Sequence, residues 1–184
     1  AARAPARRAE RRHGLRRGAR LRGAVEHPRG SDVSAGERPD RHFLEFDDGS
    51  AWTFADMLGR VEHAAAGMRS LGVQQGSHVL CWMPNAAEAV LAWLATNYLG
   101  AVHVPINTGY RGRLLQHAIE LSDAKVMVAH ASLLPRLQEI ETAQVRDVIV
   151  VGDVPAGAGT LTYHGLEILC TSERAQPSRP VEPW

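Results

Sequence analysis

The chain has 184 residues, 45% of them hydrophobic and 22% charged, with 21 basic and 20 acidic side chains for a net charge of +1. This composition is ordinary for a soluble globular protein, and the length suits one domain or part of a larger one. No apolar run reaches the ~18 residues that a membrane span needs, and two distant cysteines, Cys81 and Cys170, give neither a disulfide framework nor a metal knuckle. A reducing cytoplasmic setting is therefore the expected one.

The even balance hides two opposed halves. Residues 1–41 hold twelve arginines against five acids, +7, while the remainder holds nine basic and fifteen acidic residues, −6. An arm that binds nucleic acid would use this charge on phosphates, but no aromatic residue is interleaved for stacking. A transit peptide is also Arg-rich and acid-poor, but Ser is nearly absent here. Ala/Arg/Gly monotony without apolar periodicity also fits a disordered extension, or a mis-started translation. Residues 1–40 are expected to be such an extension and residues 41–184 the folded part, with no nucleic-acid partner. The chain starts on Ala1 and stops after a Pro-rich run, so a piece of a longer protein is expected.

Order is expected from about His42. The apolar runs "HFLEF" and "AWTF" flank Asp47-Asp48-Gly49-Ser50, a hairpin signal. Thr53 and Asp56 have the spacing of a capping box at a helix start. Phe54, Met57, Leu58, Val61, Ala65 and Met68 fall on one helical face, and Gly72 suits the left-handed position after the helix end. His78 to Pro84 reads as a continuously apolar strand, as in a sheet buried on both faces. Asn85 and Glu88 repeat the cap spacing before a second helix with almost no polar face, which is therefore a buried helix.

Gly100 ends that helix, and Ala101 to Ile106 reads as another buried strand. Leu114, Leu115, Ala118 and Ile119 give a third helix one apolar face. Ala124 to His130 is a strand, Leu133 to Ile140 a short helix, and Asp147 to Gly152 a further strand. Strands and helices alternating at this spacing imply an α/β fold: three layers, with a parallel sheet covered by helices on both faces.

In open parallel sheets, ligands sit beyond the carboxyl ends of the strands. Pro84-Asn85 and the loop Asn107-Thr108-Gly109-Tyr110-Arg111-Gly112 are both such ends. The alternative is a plain surface turn, where Asn and Gly are common. The residues alone decide against several other chemistries. No His-x-x-x-His pair lies beside a Glu for zinc, and no Gly-x-Ser-x-Gly elbow exists for a hydrolase. Cys81, Trp82 and Trp93 read as core, and His103 as a satisfied core histidine.

Four motifs in order carry a resemblance. They are Trp52-Thr53-Phe54-Ala55-Asp56-Met57, then Leu71-Gly72-Val73 through Gly76-Ser77-His78-Val79, then Pro84-Asn85-Ala86-Ala87-Glu88, then Leu99 to Asn107 ("LGAVHVPIN"). Together, over about residues 42–152, they resemble the N-terminal region of the adenylate-forming superfamily, the AMP-forming acyl-CoA ligases. The fold implied is the N-terminal part of that family's large domain. Asn107, where amino-acid-activating members carry Asp, leans toward the acyl-CoA ligases. "PINTGYRGRLLQHAI" further resembles fatty-acyl and carnitine-type members.

The resemblance implies a two-step reaction using ATP, Mg and CoA. A carboxylate attacks the α-phosphate to give an acyl-adenylate, and the CoA thiol then displaces AMP. The family's phosphate loop of Gly, Ser and Thr with a Lys is not found in this chain. The single lysine, Lys125, begins a strand, and Gly157-Ala158-Gly159 lacks a Lys and a helix start. No catalytic or metal-binding residue is therefore assigned, and residues 1–184 alone are expected to be inactive. Asn107, Thr108, Gly109 and Tyr110 are the candidate substrate loop. In some CoA ligases an Arg shortly after this strand end contacts a CoA phosphate. Its direct position here is Gly109, which leaves Arg111 and Arg113 as the candidates. The remaining partners implied are a carboxylic acid and the rest of the same domain. In the family, later residues also pack on the first helix, so Phe54, Met57, Leu58 and Val61 are expected to lack partners here. The other reading is a non-catalytic α/β nucleotide-binding or interaction module.

Overall fold

A computed structural model describes residues 19–21, 36–47, 49–142, 144–155, 160–170 and 173–177. Most of the basic arm and Gly157-Ala158-Gly159 lie outside the described residues. Three residues of the arm, β1 (Ala19–Leu21), pair antiparallel with β2 (His42–Phe46). The hairpin signal holds: β2 turns at Gly49 and pairs antiparallel with β3 (Ala51–Thr53), completing a three-stranded sheet.

Helix α1 (Phe54–Ser70) starts on the capping box. The Asp56 N–H donates to Thr53 Oγ1 at 3.1 Å, and the Thr53 N–H donates back to the Asp56 carboxylate at 3.0 Å. Gly72, at φ 83°, follows its end in the left-handed conformation, where any side chain would be strained. Met57 and Val61 are buried in one cluster with Leu44 and Phe46 of the hairpin, and the Phe43 and Phe54 rings meet edge to face. The expectation that this face lacks partners is thus corrected, because the hairpin supplies them.

The main sheet has five parallel strands in the order β5–β4–β6–β7–β8. They are β4 (His78–Trp82), β5 (Val102–Pro105), β6 (Val126–His130), β7 (Asp147–Val151) and β8 (Thr162–Gly165). Side chains alternate across the sheet, so its two faces make two cores. Val79, Cys81, Val128 and Ile149 pack with α1 and α2 (Ala87–Tyr98). Leu80, Trp82, Met127 and Val148 pack with α3 (Gly112–Ser122) and with the 3₁₀ segment Ala131–Glu139. No residue of α2 is exposed, as its all-round apolar sequence requires.

Several local expectations are corrected. Asn85 does not cap α2: the residue at the N-cap is Ala86, and no side chain bonds there. Burial alone fixes this helix start. The strand at 101–106 is not buried on both faces, because β5 is a sheet edge and Val102 is 45% exposed. On α3 only Leu115 and Ile119 of the expected apolar face are buried, and Leu114 is 55% exposed. The segment after β6 forms a 3₁₀ rather than an α-helix, with Pro135 inside it, a residue that supplies no N–H to an α-helical ladder. Strand β8 and the 3₁₀ turn Leu166–Cys170 carry no strong sequence signal.

After that turn the chain crosses back over α1 and α2. The Ala175 N–H donates to the Glu62 carbonyl, Arg69 donates to the Gln176 carbonyl, and Ala175 itself is buried.

Candidate functional site

The strand order creates a crevice. The order reverses between β4 and β6: leaving β4, the chain turns into α2 on one face; leaving β6, its neighbour, it turns into the 3₁₀ segment on the other. The loops that follow these two strands therefore part at the carboxyl end of the sheet. This is the switch point at which open α/β sheets receive ligands. The candidate loop 107–112 follows the edge strand β5 and is bonded to the ends of both strands that flank this point.

Its shape is fixed from within and from beneath. The Asn107 side-chain oxygen accepts from the Gly109 N–H at 2.7 Å, an Asx turn, and the Tyr110 N–H closes on the Asn107 carbonyl at 3.1 Å. Trp82, fully buried at the end of β4, donates its indole N–H to the same carbonyl at 3.2 Å. Arg136, from the 3₁₀ segment after β6, donates to the carbonyls of Thr108 and Tyr110. Its guanidinium carbon lies 5.8 Å from the Trp82 ring centre. Three strand ends, those of β4, β5 and β6, thus converge on one short loop.

The two candidate arginines follow at once. Arg111 is the N-cap residue of α3 and Arg113 lies in its first turn; both are exposed. Among the described residues no side-chain cap hydrogen bond is made at this helix start, and the first turn holds no acid. Arg113 also lines a shallow groove of about 450 Å³ along α3, with Leu114, Gln116, His117 and Glu120. The sequence reading missed Arg136 and the role of the Trp82 N–H. Nothing in the spacing joins residue 136 to residue 108; only the parallel pairing of β4 with β5 and β6 does so.

Other candidates fall away from this site or differ from expectation. Cys81 is buried, as expected, and burial pushes its thiol up to about 12. His103 is not a satisfied core histidine: its Nδ1 is buried with no hydrogen-bond partner among the described residues, and desolvation lowers its pKa. A cleft of about 410 Å³, lined in part by His78, Lys125 and Arg146, opens at the amino ends of the strands, opposite the loop.

Whether these residues fit Mg-ATP can be judged from the donor set. Among the described residues no three His, Cys, Asp or Glu side chains gather to hold a metal ion. Lys125 stands exposed before β6, at the wrong end of the sheet for the loop. These residues do not fit a Mg-ATP phosphate cradle, and no step through one is assigned to them. Paired arginines at a helix start do fit a phosphate of another ligand. Among the described residues no helix is long and apolar enough to cross a membrane.

A parallel sheet covered by helices on both faces defines an α/β domain of the doubly wound class. Comparison with known proteins narrows this. The sequence model of the AMP-binding enzyme family matches residues 31–181, and the chain belongs to that family. It is 36% identical over 124 residues to a medium/long-chain-fatty-acid–CoA ligase of Mycobacterium tuberculosis, covering 66% of this chain and 21% of that one. It is 36% identical over 94 residues to a 2-succinylbenzoate–CoA ligase of Oceanobacillus iheyensis, covering 51% and 20%. The chain spans about a fifth of the length of the curated relatives it matches. Among solved structures, it is similar to a long-chain-fatty-acid–CoA ligase of Archaeoglobus fulgidus, with a TM-score of 0.67, 23% identity, and 85% of this chain and 32% of that one covered. A benzoate CoA ligase of Burkholderia xenovorans gives a TM-score of 0.68 at 19% identity, covering 84% and 30%. The five-stranded parallel sheet flanked by helices is thus the N-terminal fold of the adenylate-forming enzymes.

Proposed function

We propose that residues 41–184 are the N-terminal part of an ATP-dependent, AMP-forming acid–CoA ligase of the cytoplasm, acting on a fatty or related carboxylic acid. Family membership supports the reaction class. The observation that carries the site is the loop 107–112, held at the switch point and followed by two exposed arginines. In this reading Asn107 to Tyr110 form a substrate loop, while Arg111 and Arg113 meet a phosphate of CoA. The planar fork of a guanidinium matches phosphate oxygens, and the N–H groups at the start of α3, which has no side-chain cap, add to the same field.

The chemistry of adenylation needs a phosphate cradle and cations against the negative charge on the phosphoryl oxygens of the pentacoordinate transition state. No segment of this sequence supplies a Gly/Ser/Thr loop with a lysine. The 184-residue chain is therefore proposed to be inactive alone, its activity belonging to a longer ligase that includes this region. ATP–pyrophosphate exchange tests both statements. Purified residues 1–184 should give no exchange above background with fatty, aryl or short-chain acids. The complete ligase should give exchange that depends on a fatty acid. Exchange by the short chain would overturn the first statement, and exchange driven only by an aryl or short-chain acid would overturn the acid class.

A further inference from the structure

We infer that Arg136 is a positioning residue. It latches the loop 107–111 to the end of the sheet and so sets where Arg111 and Arg113 stand. This rests on the reading of those arginines as the CoA contact.

The latch is built from side chains distant in sequence. Leu133, Leu134 and Leu137 are buried and pin the 3₁₀ segment to the core, which leaves Arg136 half-buried beneath the loop. One guanidinium nitrogen, Nη1, serves both the Thr108 and the Tyr110 carbonyls. The Trp82 ring lies alongside, and its N–H holds Asn107. Among the described residues no carboxylate stands within salt-bridge distance of Arg136. Its charge is met by carbonyl dipoles and a ring face, so the group is committed to the loop rather than to an acidic partner. Tyr110 immediately precedes Arg111, the N-cap of α3. Fixing the Tyr110 carbonyl therefore fixes the entry of the chain into the helix that carries both arginines.

Surface arginines that merely add charge would not show this arrangement. Removing the guanidinium should free the loop without unfolding the sheet, since the buried leucines and the strand pairing stay. An ammonium on a shorter stem can still donate to two carbonyls from one nitrogen, but it loses the planar ring contact. Arg136→Lys should therefore rescue in part.

The test has two readouts. Amide hydrogen exchange on the 184-residue chain compares peptides covering 106–112 with reference peptides covering β6 and β7. In Arg136→Ala the loop amides should exchange about tenfold faster or more, with the references unchanged. Arg136→Lys should fall between, and Trp82→Phe, which removes the N–H donor together with part of the buried ring, should loosen 107–109 by a few-fold. Unchanged loop exchange in Arg136→Ala overturns the latch. Should Ala also loosen β6 and β7, Arg136→Lys decides: local loosening supports the latch, and uniform loosening overturns it.

In the complete ligase, Arg136→Ala should raise the KM for CoA by a factor similar to that of Arg111→Ala. A loosened loop with unchanged KM for CoA, where Arg111→Ala does raise it, overturns the positioning role. If Arg111→Ala has no effect either, the CoA reading fails and the latch is judged on exchange alone.

Discussion

Gly67 is the position where geometry and helix propensity give opposite signs. It lies in α1 where the helix meets the returning turn Leu166–Cys170. A Cβ built there would stand 1.9 Å from the Ile168 carbonyl oxygen and 2.7 Å from its carbon, both backbone atoms. Relief needs the helix and the turn to part by roughly 1 Å, because no side chain can swing aside; overpacking of this kind costs ~1–3 kcal/mol or more. Leu169 and Ala175, both buried, would lose contact as well. Against this, Gly→Ala in a helix interior gains ~1 kcal/mol. The net expectation is a loss of ~2 kcal/mol, or a Tm lower by about 4–8 °C for a domain of this size. Gly59 in the same helix has nothing within 4 Å of the equivalent Cβ. Gly59→Ala should therefore raise Tm by a few degrees. Thermal unfolding followed by circular dichroism at 222 nm reads both. If Gly67→Ala melts at or above wild type alongside Gly59→Ala, the close approach of the returning turn is wrong.

Two further outcomes follow from local chemistry. The Asp56 carboxyl is held below its ordinary 3.8 chiefly by the Thr53 backbone and side-chain hydrogen bonds. A lowered folded-state pKa means its contribution is present above the ordinary carboxylate range and is lost as pH falls through the lowered value. Stability measured by urea titration from pH 6 down to pH 3 should fall less steeply in Asp56→Asn than in wild type, and Thr53→Ala should cost ~1 kcal/mol at pH 7; equal slopes would remove the capping box from the account. Burial pushes the Cys81 thiol up to about 12 while Cys170 is exposed. A thiol reagent at pH 8 should titrate one group in the folded chain and two in denaturant; two in the folded chain would contradict the burial of Cys81.

The fold was legible where local physics acts alone. The capping box at Thr53, the all-round apolar α2 and the short apolar strands can each be read from spacing, and the alternation of elements implies the parallel sheet. What escaped depends on partners far away in sequence. Leu114 looks like core by period, yet α3 turns it outward because only one stripe of that helix meets β4. Val102 looks like a buried strand residue, yet β5 ends the sheet. Strand β8 joins by pairing with β7, although Thr162-Tyr163-His164-Gly165 has no strong apolar pattern. The loop at Asn107 was legible as a strand end, and its resemblance to CoA ligases pointed to Arg111 and Arg113. Arg136 was not legible, because its link to Thr108 and Tyr110 spans more than twenty residues and exists only once β4, β5 and β6 are side by side.

The central claim is that the switch-point loop presents its arginines to CoA rather than to the adenylation chemistry. The most direct measurement is Arg111→Ala in the complete ligase, with the two half-reactions assayed separately. Loss of one charge-assisted phosphate contact should cost ~1.5–3 kcal/mol, about 10- to 150-fold in apparent CoA affinity in the thioester step. ATP–pyrophosphate exchange should stay within about twofold of wild type. Unchanged CoA affinity, or an equal loss in both half-reactions, would contradict the account.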